Sequence, residues 1–165
     1  MNGSDARLQA FPGQASSPRA RPAGLYASFS QVGDMLYSSG VVGREDGQVI
    51  AGQLIGAACV SRGERAAVAA VIAILRAAQD ELGSLDRVIK VVAVTGYLNS
   101  AEGFKEHIQV MNAASTAIAQ IFPDAPMPAR TTVGVAALPG GGAAEVSMLI
   151  QIAPVQADDG SHPHQ

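Results

Sequence analysis

The sequence predicts an α+β fold, one mixed β-sheet with two helices packed on one face. Three observations carry that prediction. Apolar residues recur at helical spacing near 62–82 and again near 100–122. Val- and Ile-rich runs near 87–98, 130–138 and 143–153 read as strands. A hairpin signal precedes them all, so the order is ββ(β)-α-β-α-β-β, which suits two layers around one core. At 165 residues and 48% hydrophobic content, the chain buries a core as one domain. Aromatics are only 4% and tryptophan is absent, so that core is built from Ala, Val, Ile and Leu.

Residues 1–22 are Gly, Ser, Pro, Ala and Arg around isolated Leu8 and Phe11, and read as a disordered extension. The domain follows over 23–153, and 154–165 reads as a flexible tail that takes His162 and His164 with it. Leu25–Phe29 and Met35–Ser39, split by Gln31-Val-Gly-Asp34, form the predicted hairpin. Gly40–Gly52 is loop with a brief strand. In the first helix Val68, Val71, Ile72, Ile74 and Leu75 supply the apolar stripe, and Gly83 supplies the stop. The 87–98 strand is continuously apolar in its middle, as expected of one covered on both faces. Ser100 caps the second helix with Glu102 in its first turn, and Phe104, Ile108, Met111, Ser115 and Ile118 mark its face. Pro123 ends it, while Pro126 and Pro128 keep the next segment extended. The two helices cover one sheet face only. The other face, with little polar alternation, calls for a second subunit.

Formal net charge is −3 with no basic run, which argues against an electrostatically driven nucleic-acid surface. No apolar stretch approaches the ~20 residues of a membrane span, and the N-terminus lacks the hydrophobic block of a signal peptide. The single cysteine, Cys59, suits a reducing compartment and reads as a buried or incidental thiol, so a cytoplasmic protein is expected.

The chemistry concentrates late in the chain. From Pro128 to Ala157 only Arg130 and Glu145 carry charge. A lone cation and a lone anion in so apolar a setting are costly unless compensated. A carboxylate ligand for Arg130 and a proton-transferring task for Glu145 are such compensation. Arg130 and Thr132 share a strand face about 7 Å apart, where an arginine fork and a hydroxyl cradle a carboxylate. A simple hairpin through Pro139–Gly142 would set Glu145 opposite Ala136, ~20 Å from Arg130. The two charges converge only if their strands are not neighbours or if the glutamate comes from another subunit. Gly140-Gly-Gly142 precedes a strand and lacks a following Lys-Ser/Thr, so it reads as a loop and not a phosphate cradle. His107 reads as solvated on the second helix. No metal motif occurs, and neither metal nor cofactor is expected.

Laid out this way, the chain resembles the Rid family, the YjgF-like imine deaminases also called L-PSP endoribonucleases, over roughly Gly24–Ile152. The likeness is closest to the divergent chorismate-mutase-like branch. It is carried by Pro128-Ala-Arg-Thr-Thr-Val133, by Val135-Ala-Ala-Leu-Pro139 with Ala144-Glu-Val146, by Gly33-Asp-Met-Leu-Tyr-Ser-Ser-Gly40, by Gly24-Leu-Tyr26 and by Leu98-Asn99. The resemblance implies a homotrimer with a barrel-like centre and a ligand pocket in each subunit cleft. It implies that Arg130 binds the carboxylate of a 2-imino acid and that Glu145 positions water, as the two catalytic residues. Tyr26, Ser39, Gly40, Asn99 and Thr132 are implied to line the pocket with Arg130. Thr132 stands where many family deaminases have cysteine, Ser147 where they have a second acid and Val41 where they have glutamine. The Ile50–Arg62 loop is longer than theirs. The expected activity is hydrolysis of 2-imino or enamine acids to 2-keto acids and ammonia, with small imino or keto carboxylates as ligands. The alternatives are a non-catalytic trimeric carboxylate binder and an endoribonuclease, which the acidic charge fits poorly.

Overall fold

The computed structural model describes residues 3–12 and 24–154. Its elements are α1 (Ser4–Gln9), β1 (Phe29–Val32), β2 (Met35–Ser38), β3 (Val41–Val42), β4 (Arg44–Glu45), β5 (Gln48–Val49), α2 (Val60–Leu82), β6 (Val88–Asn99), α3 (His107–Ile121), β7 (Ala129–Val135) and β8 (Ala144–Ile152). Six strands form one sheet in the order β1-β2-β8-β6-β7, with β3 also paired to β8. Among the described strands only β6 and β7 run parallel. Parallel neighbours need a crossover, which α3 supplies. The strands β4 and β5 form a separate ribbon turned at Asp46-Gly47, both at positive φ.

Helices α2 and α3 cover one sheet face. Along α2 the small residues Ala66, Ala67, Ala69, Ala70 and Ala78 are buried beside Ile72, Ile74 and Leu75, so the helix lies close to the strands. From the sheet, Leu36, Val94, Leu98, Val146, Met148 and Ile150 meet them. At Gly96 an added Cβ would lie 2.5 Å from Met111 Sδ, so glycine is what lets α3 approach β6. The strand β8 alternates strictly between buried and half-buried residues. Its even-numbered side chains enter the core, and Glu145, Ser147, Leu149 and Gln151 face away from the helices. Val32 (67% exposed) and Tyr37 (49%) lie on that uncovered face.

The predicted α+β architecture is the one observed, with local differences. The first hairpin strand begins at Phe29, not Leu25, and only Gly33-Asp34 forms its turn. Among the described residues both long helices lie on one side of β6, and its other face is the one for which the sequence calls for a second subunit. Ser100 does not cap α3, which begins at His107 after Glu106 without a side-chain cap. The Ser100 N–H donates instead to Val135 O and prolongs the sheet. Ile108, placed on the apolar face, is 68% exposed.

The N-terminal extension differs most. Residues 13–22 and the tail from 155, with His162 and His164, lie outside the described residues. Residues 4–9 are helical, and Leu8 is 1% exposed within the core. Asp5 anchors α1, its carboxylate accepting from Ser84 Oγ (2.6 Å), the Leu85 N–H (2.8 Å) and Gln79 Nε2 (2.8 Å). The Ser4 N–H donates to Asp86 (2.7 Å), and Arg7 Nε donates to Ile121 O at the end of α3 (2.7 Å).

Candidate functional site

Glu145 pairs across the ladder with Tyr97 of β6 on one side and Val42 of β3 on the other. These neighbours and the edge of the core strip water from it, and this burial raises its carboxyl above the usual carboxylate range. No cation pairs with it among the described residues. Its Oε1 fills the space where Gly40 lacks a side chain, and a Cβ there would overlap it. Gly40 is held by its neighbour. The Ser39 N–H donates to Ser28 O (2.9 Å), and Ser39 Oγ donates to Ala27 O (2.7 Å). Those bonds tie the Gly40 turn to the segment carrying Tyr26. Asn99, two residues beyond Tyr97 on the same strand face, is 7% exposed. Its N–H donates to Ala143 O and its carbonyl accepts from the Leu54 N–H.

Arg130 occupies different ground. It pairs with Val94 and Thr132 pairs with Gly96, both residues of the helix-covered face. The guanidinium reaches α3, where NH1 donates to Ser115 Oγ (2.9 Å) and to Asn112 Oδ1 (3.1 Å). Both acceptors are neutral, so no described residue compensates the positive charge. The Nε and NH2 groups find no partner among the described residues. Further along β7, at Gly134, His107 is not simply solvated. Its Nε2 lies 3.4 Å from Ser100 Oγ and its ring meets the edge of Phe104, above the bare backbone of Gly134.

The structure therefore brings Gly40 and Glu145 together, ties Ser39 to the segment that carries Tyr26, puts Asn99 two residues beyond Glu145's partner Tyr97, and sets Arg130 and Thr132 apart from them. The strands β7 and β8 are not neighbours, because β6 lies between them. Arg130 is level with Met148, three residues from Glu145. Two strand spacings across and three residues along put their Cα atoms ~14 Å apart, with the side chains on opposite faces. Sequence reasoning missed Tyr97, Asn112 and Ser115. The signal for the last two was a polar pair three residues apart, at the spacing that places both on one face of the helix. Among the described residues, no group of three or more His, Cys, Asp or Glu is placed to hold a metal ion. Nor is any described helix long and apolar enough to cross a membrane.

A family model described as Endoribonuclease L-PSP matches residues 16–152. Protein TCP17 of Trypanosoma cruzi is 38% identical over 135 residues, covering 81% of this chain and 84% of that protein. Among solved structures, Atu1372 from Agrobacterium tumefaciens, of unknown function, is 28% identical with a TM-score of 0.77, over 91% of this chain and 93% of that one. A candidate endoribonuclease from Shewanella oneidensis is 25% identical with a TM-score of 0.83, over 92% and 100%. RidA from an Antarctic Psychrobacter shares the fold at 24% identity and a TM-score of 0.56, over 83% and 95%. These likenesses agree with the residues that first suggested the family, and the chain belongs to the YjgF/Rid family, whose family model is Endoribonuclease L-PSP.

Proposed function

We propose that this protein hydrolyses reactive 2-imino acids to 2-keto acids and ammonia, in a cleft between the subunits of a homotrimer. One observation carries the reading. An uncompensated arginine and a partly desolvated glutamate leave opposite faces of the same sheet. Neither finds a counter-charge among the described residues, and a neighbouring copy set against the uncovered face brings one chain's arginine and another's glutamate to the same ligand. The open Nε and NH2 edge of Arg130 suits bidentate carboxylate binding. Glu145, its basicity raised by burial, accepts a proton from water as that water attacks the C2 imine carbon. The resulting adduct carries a hydroxyl and an amino group on C2. Proton transfer to nitrogen and loss of ammonia then leave the keto acid, so one water is consumed per ammonia released. Positioning and proton transfer suffice because an imine is already electrophilic.

The test couples the protein to a threonine dehydratase that generates 2-iminobutyrate in the same cuvette. Faster ammonia release supports the reading, and an unchanged rate across several 2-imino acids contradicts it. The division of Arg130 from Glu145 within one chain favours a second reading, a carboxylate binder without catalysis, should copies not assemble. Binding of 2-oxobutyrate without hydrolysis would mark that case. The family description and the Shewanella relative make RNA cleavage a third assay on the same sample.

A further inference from the structure

We infer that Asn112 and Ser115 are positioning residues that preset Arg130 for its ligand. The inference rests on the carboxylate-binding role proposed for Arg130. An arginine on an edge strand has four rotatable side-chain bonds, and fixing them on binding costs affinity. Here the cost is met in the folded protein. The strand β7 delivers the side chain toward α3, and Asn112 and Ser115, three residues apart on one helix face, both accept from NH1.

The chemistry of this tether is selective in two ways. It engages one terminal nitrogen, leaving the Nε and NH2 edge as a two-donor fork for a planar anion. It also uses an amide and a hydroxyl where aspartate or glutamate would have held the guanidinium more firmly. A carboxylate in either place would have neutralised the arginine and competed with the ligand for it. Neutral acceptors orient the cation and leave its charge to the substrate, which suits a ligand carboxylate. The structural alternative, that α3 merely uses Arg130 to pin the edge strand, predicts that a stronger tether is harmless.

The experiment titrates 2-oxobutyrate calorimetrically into wild type, Arg130→Ala, the double variant Asn112→Ala/Ser115→Ala, and Asn112→Asp, with melting temperatures measured alongside. Wild type binds and Arg130→Ala does not. The double variant binds about tenfold more weakly, as expected on losing hydrogen bonds to a charged group. In the imine assay its KM rises while kcat holds. Asn112→Asp melts no lower than wild type yet binds more weakly, because its carboxylate occupies the cation. Equal affinities for wild type and Arg130→Ala would overturn both the carboxylate reading and this inference. Loss of binding in Arg130→Ala, with the double variant and Asn112→Asp both at wild-type affinity, would overturn this inference alone.

Discussion

Arg130 and Glu145 leave opposite faces of one sheet, with β6 between their strands. Val94 of β6 is level with the arginine and Tyr97 with the glutamate, so no rotamer of either side chain brings them together. Each has its own support. Arg130 leans on α3, and Glu145 leans on the bare backbone of Gly40. A chain that keeps a cation and an anion this way has two half-sites, and the proposed chemistry needs both in one cleft.

The contact at Gly40 predicts a variant that separates function from fold. A methyl group there overlaps Glu145 Oε1, and Gly40 is exposed and outside the core. The carboxylate is the free end of a flexible side chain, so it swings aside at little cost to folding. Gly40→Ala should lower imine hydrolysis by about tenfold or more, the scale of a misplaced acid–base group. Its melting temperature should stay within about 2 °C of wild type, as a small stability change implies.

Glu145→Gln should also lose activity, but at neutral pH it should gain stability. Burial raises the folded-state pKa of this carboxyl above its ordinary value of 4.5. Folding therefore favours the protonated form. The contribution to stability is fully present below the unfolded value and is lost as pH rises through the raised folded value. Thermal melts across pH 4 to 8 should show the variant ahead at pH 7 and the difference closing in acid. Hydrolysis should fall by about 10²-fold.

Much of this was legible in the sequence. The 3.6-residue repeat and Gly83 delimit α2, and the apolar run of 143–153 marks β8, although which of its residues enter the core emerges only from the structure. The Arg130 and Glu145 pair stood out because nothing near them carries charge. What the sequence withheld were relationships between distant segments. Ser100 looked like a helix cap because it precedes Glu102, yet its N–H completes the sheet at Val135. Ser115 sat within the predicted apolar face, and only the crossover that lays α3 along β7 shows it meeting Arg130. The helix α1 was invisible because its anchors, Gln79, Ser84 and Leu85, lie more than seventy residues away.

That anchor makes α1 acid-sensitive. Burial pushes the Asp5 carboxyl up, but hydrogen bonds from Ser84, Leu85 and Gln79 outweigh it and hold the value below 3.8. The stabilisation is present above the unfolded value and lost as pH falls through the lowered one. Asp5→Asn keeps the shape and removes the charge, so amide hydrogen exchange in α1 should quicken at neutral pH with the β6 and β8 amides unaffected. Protection of α1 equal to wild type would show that Leu8 burial and the Ser4 and Arg7 hydrogen bonds dock the helix without the Asp5 charge.

The central claim is that one copy's Arg130 works with another copy's Glu145. Arg130→Ala and Glu145→Gln chains, each inactive alone, can be co-refolded in equal amounts and assayed for imine hydrolysis. In a closed ring of random composition, a cleft receives an intact arginine from one variant and an intact glutamate from the other about one time in four. The account predicts recovery to about a quarter of wild-type activity in the mixture. Mixed assemblies with no activity above that of the separate variants would contradict it.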